Sequence, residues 1–336
     1  GATSSVFPSD EQTKRFFWAQ GREEDYQPLA ADADAVYDRT IELDLCAVRP
    51  MTALPHQPDR VVPVADVGNP PVDQVYIGSC TNSSYTDMAR AAEILRGRRV
   101  AGNVSLVISP GTRQNYRLLL EAGMINVFVE AGARILECAC GPCVGMGQAV
   151  RTGGVSVRTS NRNFKGRCGT VDSQVYLASP ETAAATAICG YLASAEEVCD
   201  VNTLARIEEP DDYRADDALL IYPPSNGSNV EIVRGPNIRP IPLGEPLPQQ
   251  LRARVVIKLG DHVSTDEIAP SGAENVARRA NIPEVSKSTF GRIDPDFWKR
   301  AADYKSSIIV AGENYGHGSS REHAALMPMY LGVKGV

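Results

Sequence analysis

The chain has 336 residues, too many for one ordinary core, so two or three domains are expected. Hydrophobic residues make up 43% and charged residues 22%, the balance of a globular protein, and no window reaches the run of about 18 apolar residues that a membrane span needs. The net charge of −7, with Arg pairs only at Arg98–Arg99 and Arg278–Arg279, argues against a nucleic-acid partner and leaves any anionic substrate to local Arg clusters.

Residues 1 to about 45 mix polar and apolar positions, with a helix-like run at Asp10–Gln20, and read as the tail of a preceding domain. From Val72 an α/β alternation begins: strand Val75–Ile77, a polar turn, and a helix over Tyr85–Arg96 that stops at Gly97. Strand Val104–Ser109 and helix Arg113–Ala122 follow, and the short apolar runs Val127–Val129 and Ile135–Leu136 continue the series. Such alternation predicts a largely parallel sheet with its chemistry at the strand carboxyl ends. Ser179-Pro180-Glu181 opens an Ala-rich helical run, Thr182–Ala195, which Gly190 interrupts. Residues 201–252 change character, with Pro223–Pro224, Asn226-Gly227-Ser228 and a series of prolines from Pro236 to Pro248, and read as a long extended linker. A second α/β unit starts near Arg254 with strand Val255–Leu259, and continues through strand Ile308–Val310 and helix Arg321–Met327. The chain opens on Gly1 and ends at Val336 just after a helix-like run, and both ends read as cut.

Five motifs could carry chemistry. Gly78-Ser79-Cys80-Thr81-Asn82-Ser83-Ser84-Tyr85 sits at a strand-to-helix turn, where backbone N–H groups favour a thiolate; Ser84 with Asp87 forms a capping pair, and a small buried Cys is the plain alternative. Cys138-Ala139-Cys140-Gly141-Pro142-Cys143 contains a C-x-x-C chelating pair, open to a metal cluster or to zinc with Cys138 or Cys80 recruited. In Ser160-Asn161-Arg162-Asn163-Phe164-Lys165-Gly166-Arg167, two guanidiniums five apart suit carboxylate binding, although an isolated run of this kind is more often a solvated basic loop. Gly260–Ile268 follows a strand, with Arg279-Ala280-Asn281-Ile282-Pro283 downstream. Gly312-Glu313-Asn314-Tyr315-Gly316-His317-Gly318-Ser319-Ser320-Arg321-Glu322-His323 is another strand–loop–helix; Ser319 with Glu322 fits a capping box, and glycines before a helix also cradle anions. Together, spaced cysteines and Arg-rich loops on two units suggest one site that handles a small polycarboxylate on a metal cluster. Eight cysteines at irregular spacing and no secretory-signal pattern lead to the expectation of a reducing, cytoplasmic compartment.

At these motifs the chain resembles the aconitase family, whose order they keep from Ile77–Tyr85 through Cys140–Cys143, Asn161–Arg167 and Ser264–Ile268 to Gly312–His323. The resemblance implies an α/β fold of parallel-sheet domains with a C-terminal swivel domain, here truncated, on a long linker. It divides the chain into 1–45 as the remnant of a preceding domain, 46–200 as the cluster-binding domain, 201–252 as the linker and 253–336 as the swivel domain. It implies a [4Fe–4S] cluster on Cys80, Cys140 and Cys143 whose fourth iron has no protein ligand. It further implies Ser319 as the base, Asp266 and Arg321 as its neighbours, Arg162, Arg167, Arg279 and Ser320 as carboxylate contacts, and Asn161 beside the cluster. The expected reaction is isomerisation of citrate and isocitrate, small tricarboxylates, through cis-aconitate, by a chain that is monomeric at full length, touches neither nucleic acid nor membrane, and is inactive as this fragment alone. The rivals within the class are 3-isopropylmalate dehydratase and homoaconitase; presence of both units on one chain favours aconitase. Outside the class stand a zinc-stabilised binding module and an iron-sensing RNA-binding protein.

Overall fold

The computed structural model describes residues 5–246 and 248–336; the first four residues of the N-terminal segment and Leu247 of the expected linker lie outside the described ones. The described chain separates into two compact units, 5–220 and 221–336, and the division falls inside the Pro-rich stretch.

In the larger unit, α1 (Glu11–Ala19) starts at Asp10, whose carboxylate and Thr13 form a reciprocal capping box. The helix buries Ala19 against Leu118 and Tyr213, and Phe16 meets the Tyr213 ring edge-on at 5.3 Å. Arg15 adds contacts of 2.6 Å to Asp211 and 3.2 Å to Glu208. Residues on both sides of the central domain, some of them read from sequence as linker, therefore belong to one packed body.

The sheet of this unit comes from β1 (Met51–Ala53), β2 (Val61–Pro63), β3 (Gln74–Gly78), β4 (Ser105–Ser109), β5 (Arg134–Ile135), β6 (Val155–Arg158) and β7 (Gln174–Ala178), in the order β2-β1-β7-β6-β3-β4-β5. From β7 to β5 all neighbours are parallel, and β1 with β2 forms an antiparallel edge. The helices are α2 (Tyr85–Leu95), α3 (Arg113–Glu121), α4 (Met124–Ala131), α5 (Pro180–Cys189) and the single turn α6 (Val201–Leu204). All five residues of β3 are buried, as expected of a central parallel strand covered on both faces. Val75, Ile77, Met88, Leu95, Ile108 and Phe128 share its core, where each such side chain contributes about 1.5–3 kcal/mol on burial. On α5, Ala183, Ala184 and Ala187 are fully buried, and their small size lets the helix backbone approach the sheet.

One local expectation changes. Val127–Val129 belongs to a helix, α4, bounded by Gly123 and Gly132, both in the left-handed conformation. A three-residue apolar run has no period of its own, and the glycine stops on either side decide it. The Ala-rich run is interrupted where expected: Gly190 at φ +80 caps α5 after Cys189.

The smaller unit holds a parallel sheet ordered β10-β9-β8, from β8 (Arg254–Lys258), β9 (Ser307–Val310) and β10 (Val333–Gly335). Its helices are α7 (Thr265–Ile268), α8 (Ala273–Ala277), α9 (Ile282–Val285), α10 (Phe297–Tyr304) and α11 (Glu322–Tyr330). Phe290 and Phe297, edge-on at 4.9 Å, pack with Val256, Ile268, Ile309 and Leu331 in its core. The irregular segment before β8 is tied to this unit where Arg239 N donates to the Ala280 carbonyl at 2.9 Å and Asn237 Nδ2 to that of Ala277 at 3.0 Å. Among the described residues, no helix is long and apolar enough to cross a membrane.

Candidate functional site

In the larger unit the polar groups gather at the carboxyl ends of β3 and β6, the end at which parallel sheets place their chemistry. Thr159 joins the two strands: its hydroxyl accepts from Gly78 N at 2.8 Å and donates to Gly78 O at 2.7 Å. Chain direction then changes at Ser79, which holds φ at +100, a value that costs a non-glycine residue about 1–3 kcal/mol. That conformation is held from several sides. Ser79 Oγ donates to Thr159 O at 3.1 Å and accepts from Thr81 N and Asn82 N at 3.3 and 3.2 Å, while Ser83 Oγ donates to Ser79 O. Asn82 Nδ2 donates to Thr159 O at 2.7 Å. The result presents Cys80 exposed at the turn, before α2 begins on the predicted capping box of Ser84 and Asp87.

Cys140 and Cys143 lie on the loop after β5, Cys140 exposed and Cys143 half-buried. A short turn, Pro142–Val144, ends at Gly145 with φ +85, where an added Cβ would sit 2.7 Å from the Cys168 carbonyl. Both thiols lie near enough to Tyr76 of β3 to raise its phenol, which burial first and these thiols second push up to about 12. Arg167 is buried, and its Nη2 lies 3.7 Å from Cys143 Sγ. Asn161 Nδ2 donates to Thr81 Oγ1 at 2.7 Å, and that hydroxyl is 3.7 Å from Cys80 Sγ. Arg162 stands beside it, half-buried. In the same loop Ser160 Oγ, Asn161 Oδ1 and Asn163 Oδ1 are buried without a hydrogen-bond partner among the described residues, each costing about 1–3 kcal/mol if left so.

The loops therefore bring Cys80, Asn161, Arg162, Arg167, Cys140 and Cys143 to one end of one sheet. They do not close a ligand shell: among the described residues, no group of three or more His, Cys, Asp or Glu stands ready to hold a metal ion. Metal binding and the ordering of its ligands are coupled, so a ligand shell closes with the metal. The donor chemistry nevertheless suits a cluster. Three thiols lie outside any disulfide, one of them, Cys143, sits beside the Arg167 guanidinium, and orphaned amide oxygens line the neighbouring loop.

Sequence reasoning missed Arg158. It is fully buried on β6, opposite Tyr76 of β3, with its guanidinium carbon 5.6 Å from that ring centre. Its signal was visible only as a charge in the strand pattern Val155-Ser156-Val157-Arg158.

The smaller unit carries the second constellation. A cavity of about 700 Å³ is lined by Thr265, Tyr315, His317, Ser319, Ser320 and Arg321, with Met329 on its wall. Ser264 and Glu267 form a capping box that sets α7 and buries Asp266. Arg321 Nη1 lies 2.7 Å from Asp266 Oδ1 and donates to the Ala269 carbonyl at 3.1 Å, and Ser271 Oγ donates to the same carboxylate oxygen at 2.7 Å. The two loops lock together where His317 Nε2 donates to the His262 carbonyl at 2.8 Å and Glu313 N to Asp261 Oδ1 at 2.8 Å. Burial pushes the Tyr315 phenol up to about 12. The predicted Ser319–Glu322 capping box is not formed. Helix α11 begins only at Glu322, with Arg321 as its N-terminal boundary and no side-chain cap, so Ser319 faces the cavity instead. Arg279 stands apart, exposed after α8; its backbone N donates to the Val276 carbonyl at 3.3 Å and its carbonyl accepts from His323 Nε2 at 3.0 Å. Its neighbour Arg278 is engaged by Glu274 and Glu284.

Against known families, residues 1–71 and 65–190 match the profile described as "Aconitase family (aconitate hydratase)", and residues 264–336 match "Aconitase C-terminal domain". The chain belongs to the aconitase family. The relatives of this aconitase-family chain include 3-isopropylmalate dehydratase large subunit 2 of Archaeoglobus fulgidus, 44% identical over 198 residues, which are 59% of this chain and 48% of that protein. They include 3-isopropylmalate dehydratase large subunit 1 of Thermotoga maritima, 45% identical over 195 residues, 57% of this chain and 47% of that protein. A third is the 2,3-dimethylmalate dehydratase large subunit of Eubacterium barkeri, 45% identical over 200 residues, 59% of this chain and 47% of that protein. The chain spans about half the length of the curated relatives it matches. These relatives carry the names of dehydratases of substituted malates, so they favour the rival reading over the expected citrate isomerase and lend no support to a place in the tricarboxylic acid cycle.

Proposed function

We propose that this chain is the cluster-bearing part of a hydro-lyase that removes and re-adds water on a substituted malate of the 3-isopropylmalate type. The observation that carries the substrate class is the 44–45% identity to malate-derivative dehydratases over 195–200 residues of the chain. In this reading Cys80, Cys140 and Cys143 hold a [4Fe–4S] cluster. When bound, such a cluster supplies a Lewis acid for a substrate hydroxyl.

The chain's own residues supply the rest. Arg162 and Arg167 bind substrate carboxylates, for which a guanidinium fork gives direction as well as charge. Asn161, fixed by its bond to Thr81, orients the cysteine turn. Ser319 takes the proton from the carbon next to a carboxylate, and Ser320 binds carboxylate beside it. Serine is a weak base, so the alkoxide must be stabilised locally. Arg321 lines the same cavity, and Asp266 and the Ala269 carbonyl hold its guanidinium at Nη1. Arg279 is proposed as a further carboxylate contact; its guanidinium has no ion pair among the described residues.

The relatives are named large subunits, which supports assembly with a second subunit over the monomer expected from sequence. One observation favours the citrate reading as an alternative: the C-terminal domain match stands on the same chain as the cysteine motifs. Steady-state turnover of 3-isopropylmalate, 2,3-dimethylmalate, citrate and homocitrate by the reconstituted protein separates the two. Citrate turnover without malate-derivative turnover would return the assignment to aconitate hydratase.

A further inference from the structure

Arg158 is wholly buried, and a buried guanidinium ordinarily sits beside a carboxylate. Among the described residues this one has none. Its partners are all neutral: Nε donates to Ser156 Oγ at 3.0 Å, Nη1 to the Pro142 carbonyl at 2.5 Å, and Nη2 to Gln74 Oε1 at 2.5 Å and the Gln148 carbonyl at 2.7 Å. Pro142 and Gln148 bracket the segment that contains Cys143 and the left-handed Gly145. Gln74 reinforces the same stretch, since its Nε2 donates to the Ala149 carbonyl at 3.2 Å and its Oε1 also accepts from Ser156 Oγ at 3.2 Å. Tyr76, over whose ring the guanidinium lies, is also the neighbour of Cys140 and Cys143. The acidic groups that act electrostatically on Arg158 are the thiols of Cys168 and Cys143 and the Tyr76 phenol.

A single cation thus ties both ends of a seven-residue ligand loop to the central strands, and among the described residues its charge has no carboxylate partner. We propose that Arg158 is a positioning residue for the cluster, stapling loop 142–148 and placing a permanent positive charge behind the thiolate ligands. This rests on the assignment of Cys80, Cys140 and Cys143 to a cluster, and it gives the buried charge the counter-anion it lacks. A cluster with three thiolate ligands carries net negative charge, and a fixed cation nearby makes adding an electron easier.

The test uses the whole chain as wild type, Arg158→Met and Arg158→Lys. Each is reconstituted anaerobically with iron and sulfide, and its iron content and reduction midpoint are measured; hydrogen exchange is followed on the metal-free proteins. Arg158→Met is expected to raise amide exchange within 143–148 by about tenfold or more, to retain less iron, and to shift the midpoint to a more negative value. Arg158→Lys keeps the charge but cannot reach four acceptors, so exchange rises while the midpoint stays near wild type. Wild-type exchange and midpoint in Arg158→Met overturn the proposal. If Arg158→Met fails to fold, Arg158→Lys decides: exchange within 143–148 equal to wild type overturns it. A wild-type chain that takes up no iron overturns both this proposal and the cluster assignment, whereas loading with an unchanged midpoint in Arg158→Met overturns this one alone.

Discussion

Arg321 Nη1 lies 2.7 Å from Asp266 Oδ1, with 9% and 3% of the two side chains exposed. The pair ties the start of α11 to α7 across the loop that presents Ser319. Removing one member leaves the other charge buried and uncompensated. Asp266→Ala is expected to lower the stability of the chain by about 3–5 kcal/mol, measured by urea denaturation. A loss under about 1 kcal/mol would mean that solvent reaches the pair.

Ser319→Ala removes a hydroxyl that caps no helix. Stability and iron content are therefore expected to hold, while turnover falls by about 10²–10⁴-fold. Turnover close to wild type would remove Ser319 from the role of base.

Gly145→Ala should loosen the cysteine loop. The position has φ +85, and a Cβ there meets the Cys168 carbonyl at 2.7 Å, a backbone atom that cannot swing aside. A stability loss above about 1 kcal/mol and reduced iron retention are expected, checked by thermal melting and iron assay. Iron retention equal to wild type would show that the loop tolerates a shift.

The larger unit should weaken in acid through Asp73. Its carboxyl is held below the ordinary 3.8, first by the hydrogen bond from Val155 N and then, against a smaller effect of burial, by Arg151. A carboxyl depressed in the folded state stabilises the fold above its unfolded value, and that contribution fades as pH falls through the folded value. The wild type should therefore lose more stability than Asp73→Asn between neutral pH and pH about 3, measured by urea denaturation at each pH. Equal losses would exclude this tie between β3 and β6.

Much of this was legible in the sequence, and the exceptions share physical causes. Strands β3 and β4 announce themselves as apolar runs beside turn residues, and Ser84 with Asp87 caps α2 as expected. Strand β6 escaped because Ser156 and Arg158 break its apolar pattern, and both are buried only because β3 supplies Gln74 and Tyr76 opposite them. Ser319 and Glu322 have capping spacing, yet the backbone stays extended to Arg321, which is paired with Asp266, two residues too far for the box to form. Of the site, the motifs fixed which loops would meet at the sheet's end. The gathering of the thiols into one ligand shell was not legible, since sequence spacing carries no distance between separate loops.

The central claim is that Cys80, Cys140 and Cys143 share one iron–sulfur cluster. Anaerobic reconstitution with iron and sulfide in the presence of competing zinc, followed by metal analysis and a visible spectrum, tests it most directly. The account predicts about four irons per chain with broad visible absorption, both lost in Cys140→Ser. A colourless protein holding about one zinc per chain would contradict it.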